Sequence, residues 1–252
     1  MKELMPTTRA ILRQVEEKTG RSIQFIRDDS MTMLASLQFA RNGADFHVLR
    51  YQPNNDPIDY VVAFQAGFVL RLFDNPPDQR FDFAPKPDAP IKIETLLLKG
   101  KTLTGEDTGN LPGAAEMIAK WALLNLRSLP IGMRIDQWIA AEHPNLKELQ
   151  AKSIEFQTHQ NTSLLSSKIK GFEIPTSLMG PIAAYALFAD RLLNTTTNAI
   201  PFEAIGLQEQ GNTLLKLWDK TPSDAKHDWA LVDAWAKVCG LAGWYDWLDY
   251  TP

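Results

Sequence analysis

The sequence has a single cysteine, Cys239, and no long apolar run that is free of charged residues. One cysteine excludes an internal disulfide and fits a reducing compartment. Without about 18 consecutive apolar residues we expect no membrane span, and the residues after Met1 lack the apolar core of a signal peptide. The formal net charge of -4 gives no basic field that attracts nucleic acids in general. We therefore expect a cytoplasmic protein.

The motifs of common hydrolases are also missing. Gly-x-Ser-x-Gly does not occur. Cys239 lies beside a glycine-rich helix end, where only scattered histidines are available as a base. The sequence positions of the histidines do not show the short spacing of metal ligands; they are His47, His143, His159 and His227.

The stretch Ile58–Asp74 is apolar on almost all sides, which predicts a helix buried on most faces. Within it, Phe64-Gln65-Ala66-Gly67-Phe68 has the register of His-Glu-x-x-His, in which two histidines bind zinc and the glutamate is the general base. Phenylalanine has no lone pair for a metal, and glutamine does not accept a proton near neutral pH. We therefore predict no metal, no cofactor and no catalysis at these positions.

The chain before residue 110 alternates between helix and strand patterns. Apolar spacing predicts a helix over 2–19 and a hairpin across Asn42-Gly43, because both residues tolerate positive φ. Asp59 is predicted to cap the central helix. The predicted strands are Ser22–Arg27, Met31–Ala40 and Phe46–Tyr51.

The rest of the chain is predicted to be mostly helical. Lys99–Gly113 is rich in Gly, Thr and Lys, so we predict a mobile loop or a lid. The overall prediction is an α+β fold, with an α+β domain at 1–110 and a helical domain with an aromatic tail at 111–252. The predicted helices are Leu111–Ser128, Met133–Glu142, Asn145–Ser167, Ile182–Leu193, Phe202–Lys220 and Ser223–Cys239.

A helix, three strands and a buried helix with this register resemble the ImmA/IrrE family. The catalytic module of that family is a small sheet packed on a metal-bearing helix, which commonly carries His-Glu-x-Gly-His. Gly67 matches the small residue of that motif. The resemblance implies a zincin-like domain of the gluzincin type in which Phe64 and Phe68 replace the zinc ligands and Gln65 replaces the base.

The resemblance also implies a third ligand, a downstream carboxylate, and Glu94 or Glu116 fits that place. His47, in the strand before the central helix, is a candidate for the same cleft. Three charged residues flank a Pro-Pro break at the end of the central helix: Arg71, Asp78 and Arg80. They are predicted either to form ion pairs that hold this turn or to contact an anion. The alternative for the two phenylalanines is core packing, because aromatic residues four apart on a buried helix often pack in a core.

The preferred function is a non-catalytic pseudo-metallopeptidase that binds another protein or a peptide segment as a regulatory module. The alternative is a hydrolase with a different site at the seam between domains, formed from His47, Glu94, Glu106, Asp107 and Glu116. A third hypothesis is a structural subunit that docks through its tail. The candidate interface in that tail is aromatic, because Trp and Tyr dominate binding hot spots; it comprises Trp244, Tyr245, Trp247 and Tyr250.

Overall fold

The computed structural model describes residues 3–31, 33–52, 57–99 and 105–252. A small three-stranded sheet near the start is followed by a mostly helical part, so the predicted α+β class is confirmed. None of the helices in the described ranges combines the length and hydrophobicity needed to cross a bilayer. In chain order the elements are α1 (Pro6–Thr19), β1 (Ser22–Arg27), β2 (Ala35–Gln38), β3 (Phe46–Tyr51), α2 (Ile58–Asp74), β4 (Phe81–Pro85), α3 (Ala89–Leu98), α4 (Gly105–Glu142), α5 (Lys147–Ser163), β5 (Lys168–Ile169), β6 (Phe172–Glu173), α6 (Gly180–Leu193), α7 (Ile200–Ala204), α8 (Gln208–Lys220), α9 (Asp228–Val238) and β7 (Tyr245–Asp249).

The chain forms two compact units, and each is built from separate segments. The first unit contains the described residues of Met1–Asp82, Ile131–Phe156 and Asp249–Pro252. The second contains those of Phe83–Pro130 and Gln157–Leu248. The division suggested at residue 110 falls inside α4, whose backbone continues through that point. The compact units therefore divide the chain elsewhere.

The three-stranded sheet has the order β1-β3-β2, with β3 in the centre. β1 is parallel to β3, with Ile23 opposite His47, whereas β2 is antiparallel to it. The predicted Asn-Gly hairpin is confirmed: Asn42 and Gly43 have φ of 54° and 79°, and the Ala44 N–H donates to the Arg41 carbonyl at 3.1 Å. Positive φ at both central residues is the turn geometry that matches strand twist.

The core of the first unit lies between the sheet and two helices. Ile11 and Val15 of α1 and Leu49 of β3 are fully buried, as are Val62, Ala66 and Val69 of α2. The predicted capping role of Asp59 is wrong, because its side chain faces α1 instead. Its Oδ1 accepts the Met5 N–H at 2.6 Å, which satisfies a donor at the start of α1 that has no partner within the helix.

Several predicted boundaries in the helical part are wrong. Residues 105–113 are helical rather than a loop, and 100–104 lie outside the described residues. Pro130 does not end α4, which runs on as one helix where two were predicted. Its buried carbonyl accepts the Trp218 indole N–H at 3.0 Å, so the backbone group finds a partner outside the helix. Gly206, with φ of 79°, separates α7 from α8 within the single predicted helix Phe202–Lys220.

The aromatic tail is a strand rather than a free segment. β7 pairs with β4, and the next residues return to the first unit. The Tyr250 hydroxyl donates to the Ala40 carbonyl, and the N–H groups of Asn42 and Gly43 donate to the carbonyls of Thr251 and Pro252 at 3.1 and 3.2 Å. These bonds attach the last residues to the hairpin turn.

Two glycines allow α2 and α4 to approach closely in the first unit. A Cβ added at Gly67 would lie 2.5 Å from Ile135 Cγ2, and one added at Gly132 would lie 3.0 Å from Phe64 Cζ. The first distance is well inside van der Waals contact. Gly67 therefore has a packing role that does not depend on any ancestral motif.

We predict that Gly67→Ala lowers the free energy of unfolding by about 1–3 kcal/mol, because the new methyl group overpacks the contact with Ile135. Gly109→Ala is the matched control, since it lies in α4 with nothing within 4 Å of an added Cβ. Alanine there should stabilise the helix by about 0.5–1 kcal/mol. Urea unfolding of both variants checks the pair, and equal effects of the two substitutions would contradict the close-packing argument.

Candidate functional site

The candidate site is the face of α2 that carries Phe64, Gln65 and Phe68. The rings of Phe64 and Phe68 meet edge to face, with centroids 5.4 Å apart and planes at 87°. Tyr60, one turn earlier, lies 5.8 Å from Phe64. Aromatic rings prefer this offset or edge contact over a face-to-face sandwich. Apolar ring contacts therefore occupy the two positions that the resemblance assigns to zinc ligands.

This face of α2 is less buried than the rest of the helix. A set of half-buried residues lies within an arc of about 120° on the helix surface, whereas Ala63, Ala66 and Val69 on the other side are fully buried. We call this set the α2 stripe; it consists of Phe64, Gln65, Phe68, Arg71 and Leu72. Among the described residues, the side-chain amide of Gln65 makes no hydrogen bond. The stripe is partly accessible, apolar over most of its length and polar at Gln65 and Arg71.

A buried polar cluster lies beside the stripe, and the sequence reasoning missed it. Asp136 of α4 is fully buried. Its Oδ1 accepts the Tyr60 hydroxyl at 2.6 Å and the Gln150 amide at 3.0 Å, whereas Oδ2 makes no hydrogen bond in the described part of the chain. The sequence contains a pattern that indicates this burial. Asp136 lies on the same helix face as the apolar residues Gly132, Ile135 and Ile139, because their spacing is i, i+3, i+4 and i+7.

The burial of Asp136 disfavours its charged form. Burial raises the pKa of Asp136 to about 6, although the hydrogen bonds from Tyr60 and Gln150 act in the opposite direction. The ordinary value is 3.8. The folded state therefore binds this proton more tightly than the unfolded state, so the stability that it contributes is present at low pH and is lost as pH rises through about 6.

His47 does not line a cleft. It is fully buried, and its Nδ1 accepts the Ala40 N–H at 3.0 Å. Phe39 and Phe73 meet its ring edge to face at 6.3 and 6.1 Å. Burial, with a smaller contribution from Arg21, lowers the pKa of His47 to about 4. The imidazole is therefore neutral near pH 7, and it holds the segment that follows β2 by accepting a backbone hydrogen bond from Ala40.

The other predicted site residues are distributed between the two units. Arg71, half-buried in the last turn of α2, belongs to the first unit with His47. Glu94 of α3 and Glu116 of α4 belong to the second. The side chains of Glu106 and Asp107 lie outside the described residues. No group of three or more His, Cys, Asp or Glu suited to a metal occurs in the part of the chain that the structure describes.

Near the Pro-Pro break, Arg80 interacts with backbone and ring rather than with a carboxylate. Its Nε donates to the Asn75 carbonyl at 2.9 Å, and its guanidinium lies 4.3 Å from the centroid of Phe73. These contacts hold the turn after α2. The role that the sequence analysis assigned to ion pairs at this turn is therefore filled, at Arg80, by a hydrogen bond and a cation–π contact.

Three of the four predicted interface aromatics are buried: Trp244, Tyr245 and Tyr250. Trp247 is half-buried, and its indole N–H donates to Asp233 Oδ1 at 2.9 Å. The Tyr245 hydroxyl donates to the same oxygen at 2.5 Å. The tail aromatics thus offer little free surface for docking.

Comparison of the chain with protein-family models, with curated proteins and with solved structures found no match. The function must therefore be inferred from the residues of the site itself.

We predict that Asp136→Asn raises the free energy of unfolding at pH 7.5 by up to about 3 kcal/mol, because the variant has no buried charge to form. At pH 4 the difference should largely disappear, since the native carboxyl is then protonated. Denaturant titrations at both pH values measure the effect.

Asp45→Asn, at an exposed position of the same unit, is the control and should leave the pH dependence unchanged. If Asp136→Asn destabilised the protein equally at both pH values, the buried carboxyl would be charged and structurally required.

Proposed function

We propose that this chain is a non-catalytic, pseudo-metallopeptidase-like module that regulates or binds another protein through the α2 stripe. The observation that carries the proposal is the stripe itself. A mostly buried helix keeps one partly accessible, mostly apolar face, and that face includes all three degenerate motif positions. Accessible apolar surface on a helix is typical of sites that receive another protein segment.

The elements around the stripe support a zincin-like ancestry. A helix, three strands and a second helix occur in the order on which the resemblance to the ImmA/IrrE family depends. Where that family has two imidazoles and a carboxylate, this chain has two aromatic rings and an amide. The change removes the metal ligands and the base while keeping a surface of similar shape, which favours retained binding over retained catalysis. We propose that this binding takes place in the cytoplasm.

The chemical resources of the first unit also favour binding over catalysis. His47 is buried, neutral and already hydrogen-bonded, so it is not positioned to activate water. Asp136 is enclosed behind Tyr60 and Gln150. A general base must reach the proton that it removes, directly or through one water, and neither side chain has that access. The hydrolase hypothesis stays a prediction. Among the described residues, no two of its candidate side chains are shown to share a pocket.

The proposal predicts that tag-free protein retains no stoichiometric zinc after zinc addition and dialysis. Phe64 and Phe68 provide no donor atoms, and a structural or catalytic zinc site needs three or four. Elemental analysis measures the metal content. One tightly held zinc per chain would contradict the assignment of the motif and would favour the enzyme hypothesis.

The proposal also predicts a specific contact at Gln65 in cells. A photoreactive benzoylphenylalanine at position 65 should give one dominant cross-linked partner, which disappears when excess unlabelled protein competes. The same group at Gln137, an exposed position of α4 in the first unit, is the control and should not give that adduct. No adduct from position 65, or the same adducts from both positions, would overturn the binding role of the stripe.

A further inference from the structure

A separate pocket lies within the second unit, and the proposed function does not use it. Its volume is about 380 Å³, which is within the range of small-molecule sites, about 300–1,000 Å³. One wall is a face of α4, which includes Ala119 and Leu123. The opposite wall is formed by Phe83 of β4 and by the proline-rich residues that lead into α3. The pocket is therefore an open cleft between two elements of one compact unit.

The wall that contains Phe83 is held in place by contacts behind it. The Phe83 ring stacks on Tyr245, with centroids 4.2 Å apart, and the Tyr245 hydroxyl is bonded to Asp233. The Lys86 N–H donates to the Trp244 carbonyl at 2.9 Å. Prolines in this segment fix backbone φ. A pocket with fixed walls loses little conformational entropy when it binds a ligand.

The charges that line the pocket are mainly positive. Three cationic side chains, Lys86, Lys120 and Arg127, face one anionic side chain, Glu116. Lys86 forms an ion pair with Asp246 at 3.1 Å. Lys120 forms no ion pair among the described residues. Because Asp246 neutralises Lys86, the preference of this apolar pocket for a ligand with a negative group depends chiefly on Lys120.

The order of the charged residues along α4 gives this preference a direction. Glu116 lies at one end of the stretch and Arg127 at the other, about 16 Å apart along the helix axis. Ala119 and Leu123 provide an apolar surface between them. A negative group is repelled at the Glu116 end and attracted towards Lys120 and Arg127.

We propose that this pocket binds a small amphipathic organic acid, such as a medium-chain or aromatic carboxylate. The apolar body of the ligand contacts Phe83, Ala119 and Leu123. Its carboxylate lies towards Lys120 and Arg127. This inference rests on the second unit alone and does not depend on the α2 stripe, so either proposal can fail without the other.

Calorimetric titration of the full chain with decanoate, decanol and decyltrimethylammonium tests the proposal. We expect decanoate to bind about fivefold more tightly than decanol, since an ion pair at a partly exposed site contributes on the order of 1 kcal/mol. The cationic probe should bind more weakly than the alcohol. Equal binding of the acid and the alcohol, or no binding of decanoate, would overturn the proposal.

Two variants locate the site. Lys120→Glu, at an exposed position, should weaken decanoate binding at least about tenfold while leaving decanol binding nearly unchanged. Lys216→Glu, an exposed charge reversal on α8 of the same unit, is the matched control and should have no effect. Ala119→Leu should weaken binding of both probes by filling the pocket, with the far-ultraviolet circular dichroism spectrum unchanged. Decanoate binding that survives Lys120→Glu would place the ligand elsewhere.

Discussion

The close contact between α2 and α4 is the constraint on which the rest of the first unit depends. Gly67 admits the side chain of Ile135, and Gly132 admits the ring of Phe64. At this separation Asp136 reaches Tyr60, and Gln150 of α5 reaches Asp136. Larger side chains at either glycine would separate the helices and remove hydrogen-bond partners from a buried carboxyl, which is costly in a low-dielectric interior.

The same unit contains two buried titratable groups with opposite effects on stability. The lowered pKa of His47 makes the folded state lose stability as pH falls from 6.5 towards about 4. The raised pKa of Asp136 makes it lose stability as pH rises from 3.8 through about 6. Both side chains are fully buried and accept hydrogen bonds from neighbouring groups, and neither is exposed to solvent where it could act on a substrate. This arrangement is more typical of a structural core than of an active site, where perturbed groups lie in a cleft.

Local patterns were sufficient to predict much of the first unit. Ser22–Arg27, Phe46–Tyr51 and Ile58–Asp74 are found at the predicted bounds, and the Asn42-Gly43 turn follows from backbone conformation alone. Features that depend on distant residues could not be predicted in this way. Asp59 does not cap α2, because its side chain accepts the Met5 N–H. Pro130 lies inside α4, although proline usually ends or kinks a helix. The α2 stripe could not be predicted without knowing which residues of α2 are covered by α4. The pocket could not be predicted because its two walls come together only in the tertiary structure.

The attachment of Tyr250, Thr251 and Pro252 to the hairpin turn has a consequence for the order of synthesis. The first unit takes its segments from the beginning, the middle and the last residues of the sequence. A growing chain on the ribosome can form β1, β2, β3 and α2 early, but it lacks α4 and Tyr250. The face of α2 that packs on α4 therefore stays uncovered until residues 131–142 have been synthesised. The first unit is therefore completed only after the residues of the second unit that separate its segments have been synthesised.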